Sequence, residues 1–217
     1  MPLFYQHNIN DECKLGIWHI TEPESFFLEK VPLKQAITHW HKRLQHLAGR
    51  YLLQSLFPSF PYHLIEIADT RKPFLINEAY HFSISHCGDF AAAIVSTDKR
   101  VGIDIEIPTP KVQKIQHKFL SPTEMQFVNL ANIPSDNSMP TDVKILTLLW
   151  SAKEAVFKWA GDGGIDFIKD IPLVPSVINF PVGSVHSNFI KGGSFDLELN
   201  YQFFDQLILV WLTTGLK

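Results

Sequence analysis

Cysteine is almost missing. Cys13 and Cys87 are the only two in 217 residues, too few for a disulfide framework and in keeping with a reducing compartment. Long apolar runs are missing too: none reaches the roughly 18 residues a membrane-crossing helix needs. The N-terminal residues 1–7 carry neither a basic leader nor a long apolar segment, so neither a signal peptide nor a membrane partner is expected, and the cytoplasm is the default location. Excess charge of either sign is lacking: 19 Lys and Arg against 22 Asp and Glu leave a net charge of -3. Nothing global therefore attracts nucleic acid, and any basic site must be local. Low-complexity segments and residue-level repeats are also absent. What remains is 46% hydrophobic, enough for a substantial core and too much for a disordered chain.

The periodicities alternate between the two regular structures. Residues 15–20 read as a strand. Residues 33–56 read as one long helix, with Ala36, Ile37, Trp40, Leu44, Leu47, Ala48, Tyr51 and Leu52 at three- and four-residue steps and Pro58 and Pro61 beyond. Residues 81–85, 90–96 and 101–106 are β-rich runs separated by turn-like segments, expected to form an antiparallel meander. After Pro108-Thr109-Pro110 a helix is expected over 111–120. Ser121, Pro122 and Glu124 then spell a capping box for another. A polar loop over 133–142 precedes a helix over 143–160, stopped by Gly161-Asp162-Gly163-Gly164. Residues 165–168, 195–203 and 206–212 read as strands, with Asp205 in the last turn. The reading is α+β in two halves, 1–107 and 108–217.

Two short motifs carry chemistry. In Gly102-Ile103-Asp104-Ile105-Glu106, strand alternation puts Asp104 and Glu106 on one side, and Ile103 and Ile105 on the other. In the run 150–159, Glu154 and Lys158 share a helix face. Hard carboxylate oxygens suit Mg²⁺, which takes one or two of them together with substrate phosphates and water. A lysine beside them would neutralise charge on a leaving phosphate. Each motif also has an ordinary explanation: a solvated sheet face, or an i,i+4 ion pair worth roughly 0.2–0.5 kcal/mol. His39, His41, His46, His63 and His81 make no metal spacing with the two cysteines.

The paired motifs resemble the signature of the 4′-phosphopantetheinyl transferases, specifically the monomeric surfactin-type class with two fused halves. Four further segments agree, in the family's order. Arg71-Lys72-Pro73-Phe74 looks like its Lys-Pro loop, and Phe82-Ser83-Ile84-Ser85-His86-Cys87-Gly88 like its Ser-His element. Lys42-Arg43 with Leu47-Ala48-Gly49-Arg50 resembles its basic helix, and residues 119–124 resemble the segment before its second-half helices. The resemblance implies two similar α+β subdomains related by a pseudo-two-fold axis. It implies transfer of the 4′-phosphopantetheine arm of coenzyme A to a serine of an acyl or peptidyl carrier protein, with release of adenosine 3′,5′-bisphosphate. By the same resemblance Asp104, Glu106 and Glu154 are the metal ligands for Mg²⁺ or Mn²⁺, and Lys158 faces the pyrophosphate. Glu154, Lys158 and Glu124 are the catalytic set. Arg43, Arg50, Lys72, Ser85 and His86 join Lys158 in binding coenzyme A. Gln45 stands where some members have arginine, which leaves Lys42, Arg43 or Arg50 for that contact.

Lys111, Lys114 and Lys118 recur at i, i+3 and i+7, beside Val112, Ile115 and Phe119. A basic stripe with an apolar border suits an acidic carrier protein, and it equally suits a solvated helix face. Two other classes fit the motifs less fully: a Mg²⁺-dependent pyrophosphatase acting on coenzyme A or nucleotides, and a non-catalytic binding module for coenzyme A or the carrier.

Overall fold

The structure, a computed structural model, describes residues 2–33, 36–132 and 139–216. The chain divides into two compact units. One runs through Ile103 and takes in the chain end from Thr214; the other runs from Asp104 to Thr213. Each unit is α+β and packs one long helix against a sheet of antiparallel pairs. Among the described residues no helix is long and apolar enough to cross a membrane.

The first unit contains β1 (Leu3–Asn8), β2 (Cys13–His19), α1 (Glu24–Leu28), α2 (Trp40–Leu56), β3 (Ile65–Ile67), β4 (Pro73–Leu75), β5 (His81–Cys87), β6 (Phe90–Ser96) and most of β7 (Lys99–Glu106). Its main sheet has the order β1-β2-β6-β5, antiparallel throughout. Every residue of β6 is buried, which is why residues 90–95 form an unbroken apolar run instead of alternating. Leu47, Ala48, Leu52, Leu53 and Leu56 of α2 share a core with Trp18, Ala91, Ala93 and Val95. Gly49 lies where α2 meets β5: a Cβ there would stand 2.7 Å from Ile84 Cγ2. The glycine costs about 1 kcal/mol of helix propensity and lets the helix come this close.

The second unit follows with α3 (Lys111–Ile115), β8 (Ala131–Asn132), α4 (Thr141–Ala160), β9 (Leu173–Val174), β10 (Ile178–Asn179), β11 (Val182–Phe189), β12 (Phe195–Phe203) and β13 (Ile208–Gly215). Its sheet order is β7-β13-β12-β11-β9. Alternate residues of β12, Leu197, Leu199, Tyr201 and Phe203, turn inward and share a core with Leu148, Leu149, Ala152, Val156 and Trp159 of α4. Gly161, at φ 71°, ends α4 in the left-handed conformation, and its N–H donates to the Phe157 carbonyl at 3.0 Å.

Several elements depart from the sequence reading. The long helix begins at Trp40, not residue 33; Lys34 and Gln35 lie outside the described residues, and His39 accepts from the Lys42 N–H as its cap. The expected meander is not formed as such, because β7 pairs beside β13 in the other sheet. The helix over 111–120 is broken: α3 stops at Ile115 and a 3₁₀ turn covers Gln116–Lys118. The capping box is made, but it opens a 3₁₀ run over Glu124–Asn129. Residues 165–168 are not a strand. The Asp166 carboxylate accepts from the Ile168 and Lys169 N–H groups at 3.0 Å each, and this local turn outcompetes a ladder. The strand β11 went unread because the inner face it buries is Val185, Ser187 and Phe189, with a serine in the middle. That serine donates to the Pro172 carbonyl at 3.0 Å. Of the loop expected over 133–142, residues 133–138 lie outside the described residues.

Candidate active site

Strand β7 and helix α4 bring the two motifs together within the second unit. Asp104 is 3% exposed, with Ile103 and Ile105 fully buried on the opposite side of the strand. Successive turns of α4 contact these carboxylates. Trp150 Nε1 donates to Glu106 Oε1 at 3.1 Å, and Ser151 Oγ to Asp104 Oδ2 at 2.8 Å. Lys158 Nζ donates to Asp104 Oδ1 at 2.6 Å. Ser151 and Lys158 are seven positions apart, two helical turns, so both reach one carboxylate.

Glu154 stands in the same cluster. Burial first, and the neighbouring Asp104 second, raise its carboxyl to about 7; Lys158 opposes them and Glu106 adds to them. Asp104 and Glu106 thus disfavour a charged Glu154, and Lys158 favours it. Among the described residues no three His, Cys, Asp or Glu side chains are close enough to form a ready metal cage. The donor chemistry nevertheless fits a hard divalent cation. Mg²⁺ is commonly held by one or two carboxylates, with the substrate's phosphates and water filling its remaining positions. Such an ion would also relieve the repulsion that raises Glu154.

Glu124 sits elsewhere in the same unit and is fully engaged. Its Oε2 accepts from the Ser121 N–H at 2.7 Å. Its Oε1 accepts from the Leu173 N–H at 2.9 Å and from Lys153 Nζ at 2.6 Å. It is 1% exposed, and Lys153 is 0% exposed. Lys153 also donates to the Phe167 carbonyl at 2.8 Å. Burial lowers the Lys153 ammonium's proton affinity, while Glu124 and then Asp166 hold the proton on. These contacts tie the segment before β8, helix α4 and strand β9 together. The sequence reading missed this role: a lysine beside Glu154 looks like a surface residue until its partner is known.

The remaining candidate residues lie in the first unit. Arg43 makes a two-pronged ion pair with Glu24, 2.6 and 2.9 Å, and donates to the Ile37 carbonyl at 2.8 Å, so it fastens α1 and the approach to α2. Arg50 Nη1 meets His46 Nδ1 at 3.0 Å, and Tyr62 donates to the Arg50 carbonyl at 2.5 Å. Burial pulls Arg50 below its ordinary value. His46 is pulled down to about 4, by burial first and then by the charges of Arg50 and His86. His46 and Arg50 line a cavity of about 350 Å³ whose walls include Val31, Tyr62, Ile65 and Glu66. Ser85 is buried and His86 exposed at the end of β5. Gln45 is buried and donates to the Gly88 carbonyl at 2.8 Å, fixing the turn after β5. Lys72 lines a second cavity in this unit. Lys111, Lys114 and Lys118 are exposed. Because α3 gives way to a 3₁₀ turn, they do not form the single α-helical stripe that their spacing suggested.

Comparison with known proteins adds a family. Residues 100–196 match the model of the 4′-phosphopantetheinyl transferase superfamily. A Synechocystis sp. protein carrying the same family name is 29% identical over 123 residues, 54% of this chain and 48% of its own. Enterobactin synthase component D of Escherichia coli K12 is 33% identical over 120 residues, 54% of each chain. The 4′-phosphopantetheinyl transferase psf-1 of Bacillus pumilus is 36% identical over 85 residues, 39% of this chain and 34% of its own. The chain spans about half the length of the first two relatives. The matched segment takes in nearly all of β7, the whole of α4 and the carboxylate cluster, so the likeness to the 4′-phosphopantetheinyl transferase superfamily falls on the candidate site itself.

Proposed function

We propose that the protein transfers the 4′-phosphopantetheine arm of coenzyme A to a serine of an acyl or peptidyl carrier protein, acting as a cytoplasmic monomer of the surfactin-type class. The observation that carries this reading is the set Asp104, Glu106, Glu154 and Lys158, gathered by β7 and α4 inside the matched segment. A bond forms between the serine oxygen and the phosphorus that bears the pantetheine arm; the bond from that phosphorus to the bridging oxygen breaks, and adenosine 3′,5′-bisphosphate leaves. Asp104, Glu106 and Glu154 are the residues that would hold Mg²⁺ or Mn²⁺, whose contribution is to offset charge on the pyrophosphate.

Positioning and charge dominate phosphoryl transfer. A serine hydroxyl is a weak nucleophile and needs a base. Glu154, a carboxylate on the half-exposed side of the cluster, would take the serine's proton. Glu124 is fully bonded and buried, so in this reading it supports α4 and does not take the proton. Lys158, 25% exposed at its side chain, would turn from Asp104 to the leaving bisphosphate. Arg50, Lys72, Ser85 and His86 would bind coenzyme A, while Arg43 serves structure through Glu24. Lys111, Lys114 and Lys118 would steer the carrier.

The test is the intact mass of an apo carrier protein after incubation with coenzyme A, Mg²⁺ and the enzyme. A gain of one phosphopantetheine arm is expected. Hydrolysis of coenzyme A without carrier would point to a pyrophosphatase. No gain with fatty-acid, polyketide and nonribosomal-peptide carriers would reject the transferase reading.

A further inference from the structure

Two hydroxyls stand one turn apart on α4 and are used differently. Thr147 Oγ1 donates back along the helix to the Val143 carbonyl at 2.8 Å. Ser55 does the same on α2, to the Tyr51 carbonyl at 3.2 Å. This local bond is an ordinary use of a hydroxyl inside a helix. Ser151 has one O–H to give, and gives it to Asp104 Oδ2 on β7, 2.8 Å away. The residue is 0% exposed, so no water competes for that proton. An alanine there would suit the helix better, and burying a hydroxyl is unfavourable unless it is bonded.

Asp104 is therefore gripped from α4 on both oxygens, and the two grips are unequal. Ser151 takes Oδ2 from the sealed side. Lys158 takes Oδ1 at 2.6 Å, with its side chain reaching solvent. Lys158 holds on through a flexible four-carbon stem. The serine hydroxyl is one torsion away from a buried helix backbone. The terminal torsion of an aspartate is broad, so a fixed donor on one oxygen decides where the other points.

We infer that Ser151 is a positioning residue: its hydroxyl holds Asp104 Oδ2 so that Oδ1, the oxygen Lys158 occupies, is the one presented to a divalent cation. The inference rests on Asp104 being a cation ligand in the proposed transferase, and it adds what aims that ligand. When Lys158 turns toward the leaving bisphosphate, the serine keeps the carboxylate in place. Hydrogen bonds that orient a ligating carboxylate are commonly worth 10–100-fold in metal affinity or activity.

The experiment follows Mn²⁺ binding to the full chain by electron paramagnetic resonance, alone and with coenzyme A. Ser151→Ala is expected to weaken binding about ten-fold or more. Thr147→Ala, which removes a buried hydroxyl from the same helix, is expected to leave it unchanged. In the carrier assay the Mg²⁺ concentration for half-maximal rate should rise by a similar factor in Ser151→Ala, with most of the rate recovered at saturating Mg²⁺. Equal Mn²⁺ affinity in the parent and Ser151→Ala overturns the inference. So do equal losses in the two alanine variants, which would mean a general softening of α4, and so does a parent that binds no Mn²⁺. Binding that responds to Ser151→Ala in a chain that modifies no carrier would sink the transferase reading and leave this inference standing.

Discussion

Lys153 and Lys158 stand five positions apart on α4, about 140° round the helix, and each holds a carboxylate oxygen at 2.6 Å. Distance does not distinguish them; their surroundings do. The side chains of Lys153 and Glu124 are 0% and 2% exposed, and backbone groups of Phe167, Ser121 and Leu173 complete their hydrogen bonds. Lys158 is 25% exposed, and its partner Asp104 belongs to a cluster with surplus negative charge. A sealed and saturated pair has nothing left to offer a substrate. A pair with an open edge, beside a third carboxylate whose proton affinity is raised, has a side chain that a substrate can reach.

Breaking the sealed pair gives the largest effect. Lys153→Met leaves the Glu124 carboxylate buried without its cation, a change that typically costs 3–5 kcal/mol. Urea unfolding is expected to show that loss; a change below about 1 kcal/mol would mean that the pair is not sealed in solution. The double variant Lys153→Met with Glu124→Gln should recover part of it, because a neutral amide tolerates burial better.

Breaking the open pair should spare the fold and remove the chemistry. Asp104→Ala leaves Lys158 at an edge that water reaches, and transfer is expected to fall by about 10²–10³ or more, the scale for losing one electrostatic element of a transition-state site. The check pairs carrier mass analysis with the urea midpoint. Near-full transfer in Asp104→Ala would separate the open pair from function and erase the contrast.

Glu154 sharpens the comparison through pH. Its folded value is raised from 4.5 to about 7, so the folded protein holds a proton that the unfolded chain releases. Its protonated form is accommodated below pH 4.5, and stability is lost as pH rises through 7. Glu154→Gln should therefore match the parent near pH 4 and exceed it above pH 7 by about 3 kcal/mol, at about 1.4 kcal/mol for each of the roughly 2.5 pH units between 4.5 and about 7. Mg²⁺ bound by the parent should narrow that gap, and chelation should restore it. A stability difference flat from pH 4 to 8 would show that Glu154 is not crowded by its neighbours.

The sequence made the open site legible and concealed the sealed one. Asp104 and Glu106 alternate on a strand, and Glu154 and Lys158 lie one turn apart, so local periodicity was enough to put each pair on one face. Ser151 and Trp150 could have been added by the same helical arithmetic, since both point toward β7. Lys153 could not, because its partner comes from a distant segment and burial of that pair is a tertiary fact. Glu124 was read correctly as a cap through Ser121, and its expected catalytic part came from family likeness alone. The α+β class and α4 were plain from pattern. Strand β11 was not, because a buried serine interrupts its apolar face, and the false strand at 165–168 arose because apolar content hid an Asp-centred turn.

Lys111, Lys114 and Lys118 extend the comparison to lysines in open water, and their expected effect is the smallest. They are exposed on α3 and the 3₁₀ turn after it, where solvent and salt screen each charge. No large loss of stability is expected on reversing them, since exposed charges contribute little to folding. Their field would act on the approach of an acidic carrier, so the triple change to Glu should raise the Michaelis constant for carrier several-fold and leave that for coenzyme A unchanged. The rise should shrink as salt is added, because steering fades within about one Debye length of roughly 10 Å at 0.1 M. Unchanged carrier kinetics at low salt would leave these lysines as solvated surface and confine the useful positive charge of the second unit to the open edge of α4.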